Sequence, residues 1–255
     1  MNLLAFDTTT QAMSIAVART LDGHDLQWQH TGAGAAQASC DLIPAILKLM
    51  QHARLRLDEL DAICFGQGPG AFTGLRTACA VAQGLALGSG VPLLPINALL
   101  AIAEEARHTA LESTPHGTIT SMLDARMDEV YIASYAFESG KGQWIELQEA
   151  RLLAPQELDA YLDALGKPCV LAGNVFTVYQ AQLAQTRAYA DAAPATTPIV
   201  ALPTAAAMLR LAPQALMEGR AVRAQDALPC YVRDKVAQTT QERNAEKAAV
   251  LATMR

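Results

Sequence analysis

The sequence has few of the residues from which metal, redox or phosphate chemistry is recognised. Its five cysteines (Cys40, Cys64, Cys79, Cys169, Cys230) are odd in number and widely separated, with no C-x-x-C pair. They read as reduced thiols rather than a disulfide framework or a zinc knuckle. No two of His24, His30, His52, His108 and His116 stand three or four residues apart, so no helical pair of metal ligands is encoded and no metal is expected. There is no G-K-[ST] phosphate loop, and no G-x-G-x-x-G with an acid at dinucleotide spacing. Charged residues make up only 17% and the net charge is -6, which excludes a basic nucleic-acid groove over the whole molecule. Residues 220–255 run against that trend, with seven Lys/Arg and four Asp/Glu, so any nucleic-acid contact belongs near them. The N-terminus has no basic region and reaches an acid at Asp7, which does not fit a signal peptide and leads us to expect a cytoplasmic protein. Residues 77–103 carry no charge at all, yet Gly84, Gly88, Gly90, Pro92 and Pro95 interrupt them. Helix, turn, strand and helix start account for that run better than a membrane span does.

What is present is core material. Hydrophobic residues make up 51% of 255, enough for one large or two small domains. Short apolar runs at Leu3–Phe6, Met13–Ala18 and Leu26–Thr31 predict three strands joined by tight turns. Helical spacing from Asp41 to Ala53 predicts a helix with an unusually broad apolar arc. A strand over Ala62–Phe65, a glycine-rich turn over Gly66–Gly74 and a small-residue helix from Leu75 to Leu87 follow. A strand over Val91–Ile96 then leads to a helix capped by Asn97 and reaching Arg107.

The second half repeats the order. Strands are predicted at Thr118–Leu123, Glu129–Phe137 and Gln143–Leu152, then a helix start at Pro155 and a strand at Cys169–Ala172. Helices at Val175–Leu183 and Thr204–Met217 complete it. Three strands followed by alternating helix and strand, twice over, predict two stacked α/β halves with mixed sheets. The expected division is residues 1–110, 111–222 and a tail over 223–255, of which 238–255 is a frayed helix or disordered end.

Three stretches bear on function. Asp7-Thr8-Thr9-Thr10 ends the first strand, where it is either an ordinary Asx turn or a degenerate phosphate loop made with Gly68 and Gly70. Gly66-Gln-Gly-Pro-Gly-Ala-Phe-Thr-Gly-Leu-Arg76 joins a buried strand to a helix N-terminus, a place that can present free amides to an anion or can simply be a structural turn. Asp124-Ala-Arg-Met-Asp-Glu129 stands in the second half where Asp7–Thr10 stands in the first, and reads as a solvated hairpin tip. No nucleophile or catalytic residue is suggested by any local signature. The helix after Gly74 is small or apolar all round, so a second copy, a partner or another part of this chain must cover its outer face. Covered by a partner or a second copy, it would make with the preceding helix an interface of Leu42, Ile43, Ile46, Leu47, Met50, Thr73, Arg76, Ala78, Cys79, Ala82 and Ala86; covered from within the chain, the same helix is internal core. In the first case arginine at Ala82 is expected to leave the fold intact and block association.

These stretches, with Leu42-Ile-Pro44, Asp124-Ala-Arg-Met-Asp-Glu-Val-Tyr131 and Pro229-Cys-Tyr-Val-Arg233, occur in an order that resembles the TsaB (YeaZ) family across roughly residues 1–235. The resemblance implies a duplicated actin-like α/β fold of the Hsp70 and sugar-kinase type. It implies a role in forming N6-threonylcarbamoyladenosine at the tRNA adenosine 3′ of the anticodon. In such a system the chain is a non-catalytic, activating subunit that pairs with TsaD, works with the ATPase TsaE, and meets tRNA only through the complex. A homodimer is expected when it is alone. The paired histidines of TsaD are missing, so the likeness is to the partner subunit. No cofactor is expected to bind tightly, with ATP or ADP at the complex interface as the one candidate. The family's partner surface is made by its first two helices, the two segments found too apolar above. The sequence departs from the family where Gln67 replaces arginine, Ala71 replaces serine and Ala38 stands in place of a histidine. Those changes bear on the cleft rather than on the helices.

Two other readings share the fold. A small-molecule kinase or ATPase needs an adenosine pocket, for which Leu171-Ala-Gly-Asn174 offers a single glycine. A metallopeptidase needs ligand spacing that the histidines do not supply.

Overall fold

The computed structural model describes residues 1–34, 37–138, 143–190 and 197–233. The first half runs β1 (Asn2–Asp7), β2 (Ala12–Leu21), β3 (His24–Ala33), α1 (Ala38–Ala53), β4 (Ala62–Gly68), α2 (Phe72–Ser89), β5 (Leu93–Asn97) and α3 (Ala98–Ala110). The second half opens with β6 (His116–Asp124), β7 (Val130–Glu138), β8 (Gln143–Leu153), α4 (Leu158–Leu165) and β9 (Val170–Gly173). Short helices α5 (Val175–Val178), α6 (Gln180–Leu183) and α7 (Arg187–Ala190), strand β10 (Ile199–Val200) and α8 (Ala205–Met217) follow.

Each half builds one five-stranded sheet, β3-β2-β1-β4-β5 and β8-β7-β6-β9-β10. Three strands pair antiparallel and the remaining two add in parallel, at equivalent places in both sheets. The two halves therefore share one α/β topology, the duplication expected from the repeated order of elements. The central position of β1 explains its unbroken apolar run. Leu3, Leu4, Ala5 and Phe6 are all at most 2% exposed, because a strand with a neighbour on each side and helices on both faces has no solvent face to alternate with. Asn97 caps α3 as expected, its Oδ1 accepting the Leu99 and Leu100 amides at 2.8 and 3.3 Å. Thr204 caps α8 through the Ala207 amide at 3.1 Å.

The structure corrects several expectations. Helix α2 starts three residues earlier than Leu75, because the Ala71 amide is tied to the Thr9 carbonyl at 2.8 Å and the Ala71 carbonyl already accepts the Leu75 amide. The helix predicted over Val175–Leu183 is two single turns broken at Tyr179.

Packing also crosses the expected boundaries. Helix α3, from the first half, packs Leu99, Ile102 and Ala103 against Ile119, Leu123 and Ala133 of the second sheet. Helix α8, from the second half, returns Ala207, Met208 and Leu211 onto Leu3, Ala5 and Cys64 of the first. The chain after α8 returns to the first half. Val222 exchanges backbone hydrogen bonds with Leu93 on the edge of β5 at 2.8 and 2.9 Å, and Ala227 is buried in the core beneath α1 and α2. Residues 234–255, including the end expected over 238–255, lie outside the described residues.

Candidate functional site

The hairpin turn after β1 and the turn after β4 meet face to face. Thr9 donates its amide and its hydroxyl to Asp7 Oδ1 at 2.9 and 2.8 Å, an Asx turn closed by a second hydrogen bond. Thr8 donates its hydroxyl to the Gly74 carbonyl at 2.7 Å. A methyl group on Gly74 would stand 1.8 Å from the Thr8 carbonyl oxygen, and one on Gly66 would stand 1.9 Å from Asp7 Oδ2. The glycines are there because another stretch of backbone, and one carboxyl group, occupy the space of a side chain.

That contact corrects the phosphate-loop expectation. Asp7 is completely buried and no cation among the described residues faces it, so burial pushes its carboxyl up to about 7 against the Thr9 hydrogen bonds that favour ionisation. Thr8 and Thr9 have already spent their hydroxyls inside the protein, and Gly68 lies under the Cys230 carbonyl. Only Thr9 and Gly70 of the five predicted residues border the cleft between the halves. The arrangement does not fit a nucleotide's phosphates and their magnesium ion, since the acid and hydroxyls that would hold them are turned into the protein.

The cleft itself measures about 460 Å³ and is lined by Thr9, Thr10 and Gln11 on one side and by Asp124, Arg126 and Asn174 on the other. The second wall is more polar than the solvated tip predicted from the sequence. Asp124 Oδ1 accepts the Tyr179 hydroxyl and the Arg126 amide, each at 2.8 Å, while Asn174 Oδ1 accepts the Asp124 amide at 2.9 Å. Burial, then the hydrogen bond to Asp124, raises the Tyr179 phenol well above its ordinary range. Arg126, Met127 and Asp128 all have positive φ, of 63°, 56° and 56°. A left-handed conformation costs a non-glycine residue about 1–2 kcal/mol, so three in succession require outside support.

Arg233 supplies that support. Its guanidinium donates to the Ala125 carbonyl at 2.9 Å and to Met127 Sδ at 3.2 Å, and pairs with the Glu129 carboxylate at 2.7 Å. Two residues earlier, Tyr231 accepts a hydrogen bond from Arg76 Nε at 3.0 Å, and the Arg76 guanidinium stacks 3.6 Å over the Phe72 ring. Arg233 and Tyr231 were quoted in the sequence only as parts of a motif. Their partners lie more than one hundred residues away along the chain, beyond the reach of any local pattern.

The predicted interface divides into buried and exposed residues. Leu42, Ile46 and Met50 of α1, and Ala78, Cys79, Ala82 and Ala86 of α2, are at most 6% exposed and belong to the core under the first sheet. The alanine stripe faces inward because small side chains let α2 lie close to β4. Ile43 and Leu47 are exposed at 46% and 51%, and Thr73 and Arg76 are exposed on α2. The outward stripe of α2 is a different one: Thr73, Ala80, Gly84, Leu87 and Gly88, with Leu87 76% exposed. Between Arg76 and Ser89 the helix has no charge on any side, so an uncharged face remains uncovered beside Ile43 and Leu47. Ser39 and Thr77 place their hydroxyls 3.4 Å apart where α1 and α2 run side by side.

Among the described residues, no group of three His, Cys, Asp or Glu side chains could hold a metal ion, and no helix is long and apolar enough to cross a membrane. All five cysteines are free, and burial pushes the Cys64 thiol up to about 12.

Comparison with known proteins places this architecture. A family model described as "TsaD: tRNA N6-adenosine threonylcarbamoyltransferase" matches residues 35–241. The tRNA threonylcarbamoyladenosine biosynthesis protein TsaB of Haemophilus influenzae is 29% identical over 246 residues, covering 92% of this chain and 95% of its own. TsaB of Escherichia coli is 28% identical over 93% of this chain and 96% of its own. The solved structure of YeaZ from Pseudomonas aeruginosa matches with a TM-score of 0.73 at 32% identity, over 90% of this chain and 99% of that one. With a family model over residues 35–241 and matches in sequence and fold that run along nearly the whole of both chains, the chain belongs to the TsaB (YeaZ) family.

Proposed function

We propose that this chain is a non-catalytic, activating subunit in the formation of N6-threonylcarbamoyladenosine in tRNA, pairing with TsaD through the exposed face of α1 and α2. The observation that carries the reading is that face. Ile43, Leu47, Ala80, Gly84 and Leu87 are exposed without a charge among them, on helices that the fold needs only for their inner sides. Large apolar side chains exposed on two neighbouring helices mark an interface more often than they serve a monomer. Small residues on α2 admit a helix at close range. The relatives' names point to threonylcarbamoyladenosine synthesis, and the family model that matches this chain is itself described as a tRNA threonylcarbamoyltransferase. The turned-in hydroxyls of Thr8 and Thr9 support the non-catalytic part, since they leave the first half without a phosphate cradle.

The test is made in the native cell and with purified chains. Depletion is expected to remove threonylcarbamoyladenosine from tRNA, as read by nucleoside mass spectrometry, and re-expression to restore it. The purified chain is expected to co-elute with its cognate TsaD, with and without nucleotide and TsaE. Unchanged nucleoside levels together with no association would refute the reading. A micromolar affinity of the isolated chain for ATP and magnesium would favour the kinase reading instead.

A further inference from the structure

Two motifs remain without a role after the interface and the cleft are accounted for: Asp124–Tyr131 and Pro229–Arg233. In the structure they are in contact, and the second also reaches the N-terminal end of α2. The segment after Ala227 is tied to the first half at several points. Gln67 Nε2 donates to the Leu228 carbonyl at 3.1 Å, the Cys230 amide donates to the Gln67 carbonyl at 2.8 Å, and Arg76 holds the Tyr231 hydroxyl. It is tied to the second half by hydrogen bonds and an ion pair from Arg233 to Ala125, Met127 and Glu129, and by Val232, which packs against the core of that half. The tip that Arg233 holds consists of three successive left-handed residues without a glycine, and Asp124 and Arg126 of that tip line the cleft.

From this geometry we propose that residues 227–233 form a latch coupling Arg76 on α2 to the β6–β7 tip, so that contact made at Arg76 from outside changes the order of the tip. Arg76 is suited to be the sensing end. It is exposed, held in place by Phe72 and Tyr231, and has no acidic partner among the described residues. Tyr231, its hydrogen-bond partner, is two residues from Arg233. A carboxylate or phosphate arriving at Arg76 competes with the Tyr231 hydroxyl for the guanidinium, because a charged acceptor is stronger than a neutral one. Releasing the Tyr231 hydroxyl leaves its ring against Phe72 but loosens the chain that positions Arg233. The tip then loses the contacts that hold its left-handed turn and exchanges among backbone conformations at the mouth of the cleft. The coupling rests on the reading above, in which a partner covers the face that contains Arg76.

The experiment is amide hydrogen exchange by mass spectrometry on the full chain, comparing wild type with Tyr231→Phe, Arg233→Ala and Arg233→Lys. Circular dichroism and thermal midpoint serve as fold controls. Tyr231→Phe removes one hydroxyl and no atom that touches the tip. The latch requires that it nonetheless raise exchange across residues 124–131 by about threefold or more, with β1 and α3 unchanged. Arg233→Ala is expected to raise tip exchange by about tenfold, and Arg233→Lys, which keeps a charge for Glu129, by less. Tip exchange in Tyr231→Phe equal to wild type overturns the coupling, even if the Arg233 variants loosen the tip. If Arg233→Ala fails to fold, Tyr231→Phe and Arg233→Lys decide the matter. A second arm adds TsaD. If size-exclusion chromatography shows no complex, the proposed function fails and the isolated chain still decides the latch. If the complex forms and tip exchange equals that of the free chain, the latch is overturned while the proposed function stands.

Discussion

Arg210 on α8 donates its Nε to the carboxylate of Glu104 on α3 at 2.7 Å, and this pair joins the two helices that the halves exchange. Glu104 is almost fully buried, and also accepts Arg107 Nε and Nη2 at 2.8 and 2.9 Å and Trp144 Nε1 of β8 at 3.2 Å. A carboxylate with four donors around it is satisfied in a way that no neutral replacement reproduces.

Removing it leaves two guanidinium groups facing a cavity. Glu104→Ala is expected to destabilise the chain by about 3–5 kcal/mol in urea denaturation, the range for breaking one side of a buried ion pair. Burial alone would raise the Glu104 carboxyl, but hydrogen bonds from Arg107 and Arg210 outweigh it and hold it below its ordinary value. Its contribution is therefore complete above the unfolded carboxylate range and is lost as the pH falls through the lower folded value. A loss much smaller than the variant range at pH 7 would mean that water takes the place of the carboxylate.

Asp7 has the opposite sign. Its folded value of about 7 lies above the unfolded 3.8, so the native state holds its proton more tightly and is favoured at low pH. Stability from this group is full below about pH 4 and declines as the pH rises to 7. Asp7→Asn keeps an acceptor for the Thr9 amide and removes the charge. Denaturant midpoints at pH 5 and pH 8 are expected to show the variant gaining on wild type as pH rises, by something on the order of 2–4 kcal/mol. Equal differences at both pH values would show that Asp7 is ionised throughout.

The interface correction gives a paired test. Ala82 is fully buried against the sheet, so Ala82→Arg is expected to abolish folding rather than only association. Leu47→Glu and Leu87→Glu lie on the outward face and are expected to change stability by no more than about 0.5 kcal/mol while preventing co-elution with TsaD. A soluble, folded Ala82→Arg chain would put α2 the other way round.

Two glycines of α2 separate packing from propensity. Gly74→Ala places a methyl 1.8 Å from the Thr8 carbonyl and is expected to lower stability by about 3 kcal/mol or more, because the β1–β2 turn has to move. Gly84→Ala points into open space on the same helix and is expected to raise stability by about 0.5–1 kcal/mol. Thermal melts of the two variants give the comparison directly.

The sheets were legible in the sequence because β1, β4 and β6 carry apolar runs bounded by turn residues, and the repeated order disclosed the duplication. The Asn97 cap was legible for the same local reason. The direction of α2 was not, since a helix that is small and uncharged all round has no polar side from which to read its orientation. Nor could the sequence show that Thr8 and Thr9 turn their hydroxyls inward, to the Gly74 carbonyl and to Asp7: a hydroxyl in a turn looks the same whether it meets a phosphate or a buried acceptor. Glu104 did leave a trace, as the first charge after the uncharged residues 77–103, but nothing local gave it Arg210 as a partner.

The crossing of α3 and α8 makes each half incomplete as a separate piece. A fragment ending at Ala110 would expose the faces of β1 and β4 that Met208 and Leu211 cover, and would carry α3 with nothing to rest on. The complementary fragment would carry α8 without its sheet. With each sheet covered by a helix from the other half, the two repeats form one cooperative molecule, in which neither can be removed without opening the core of the other.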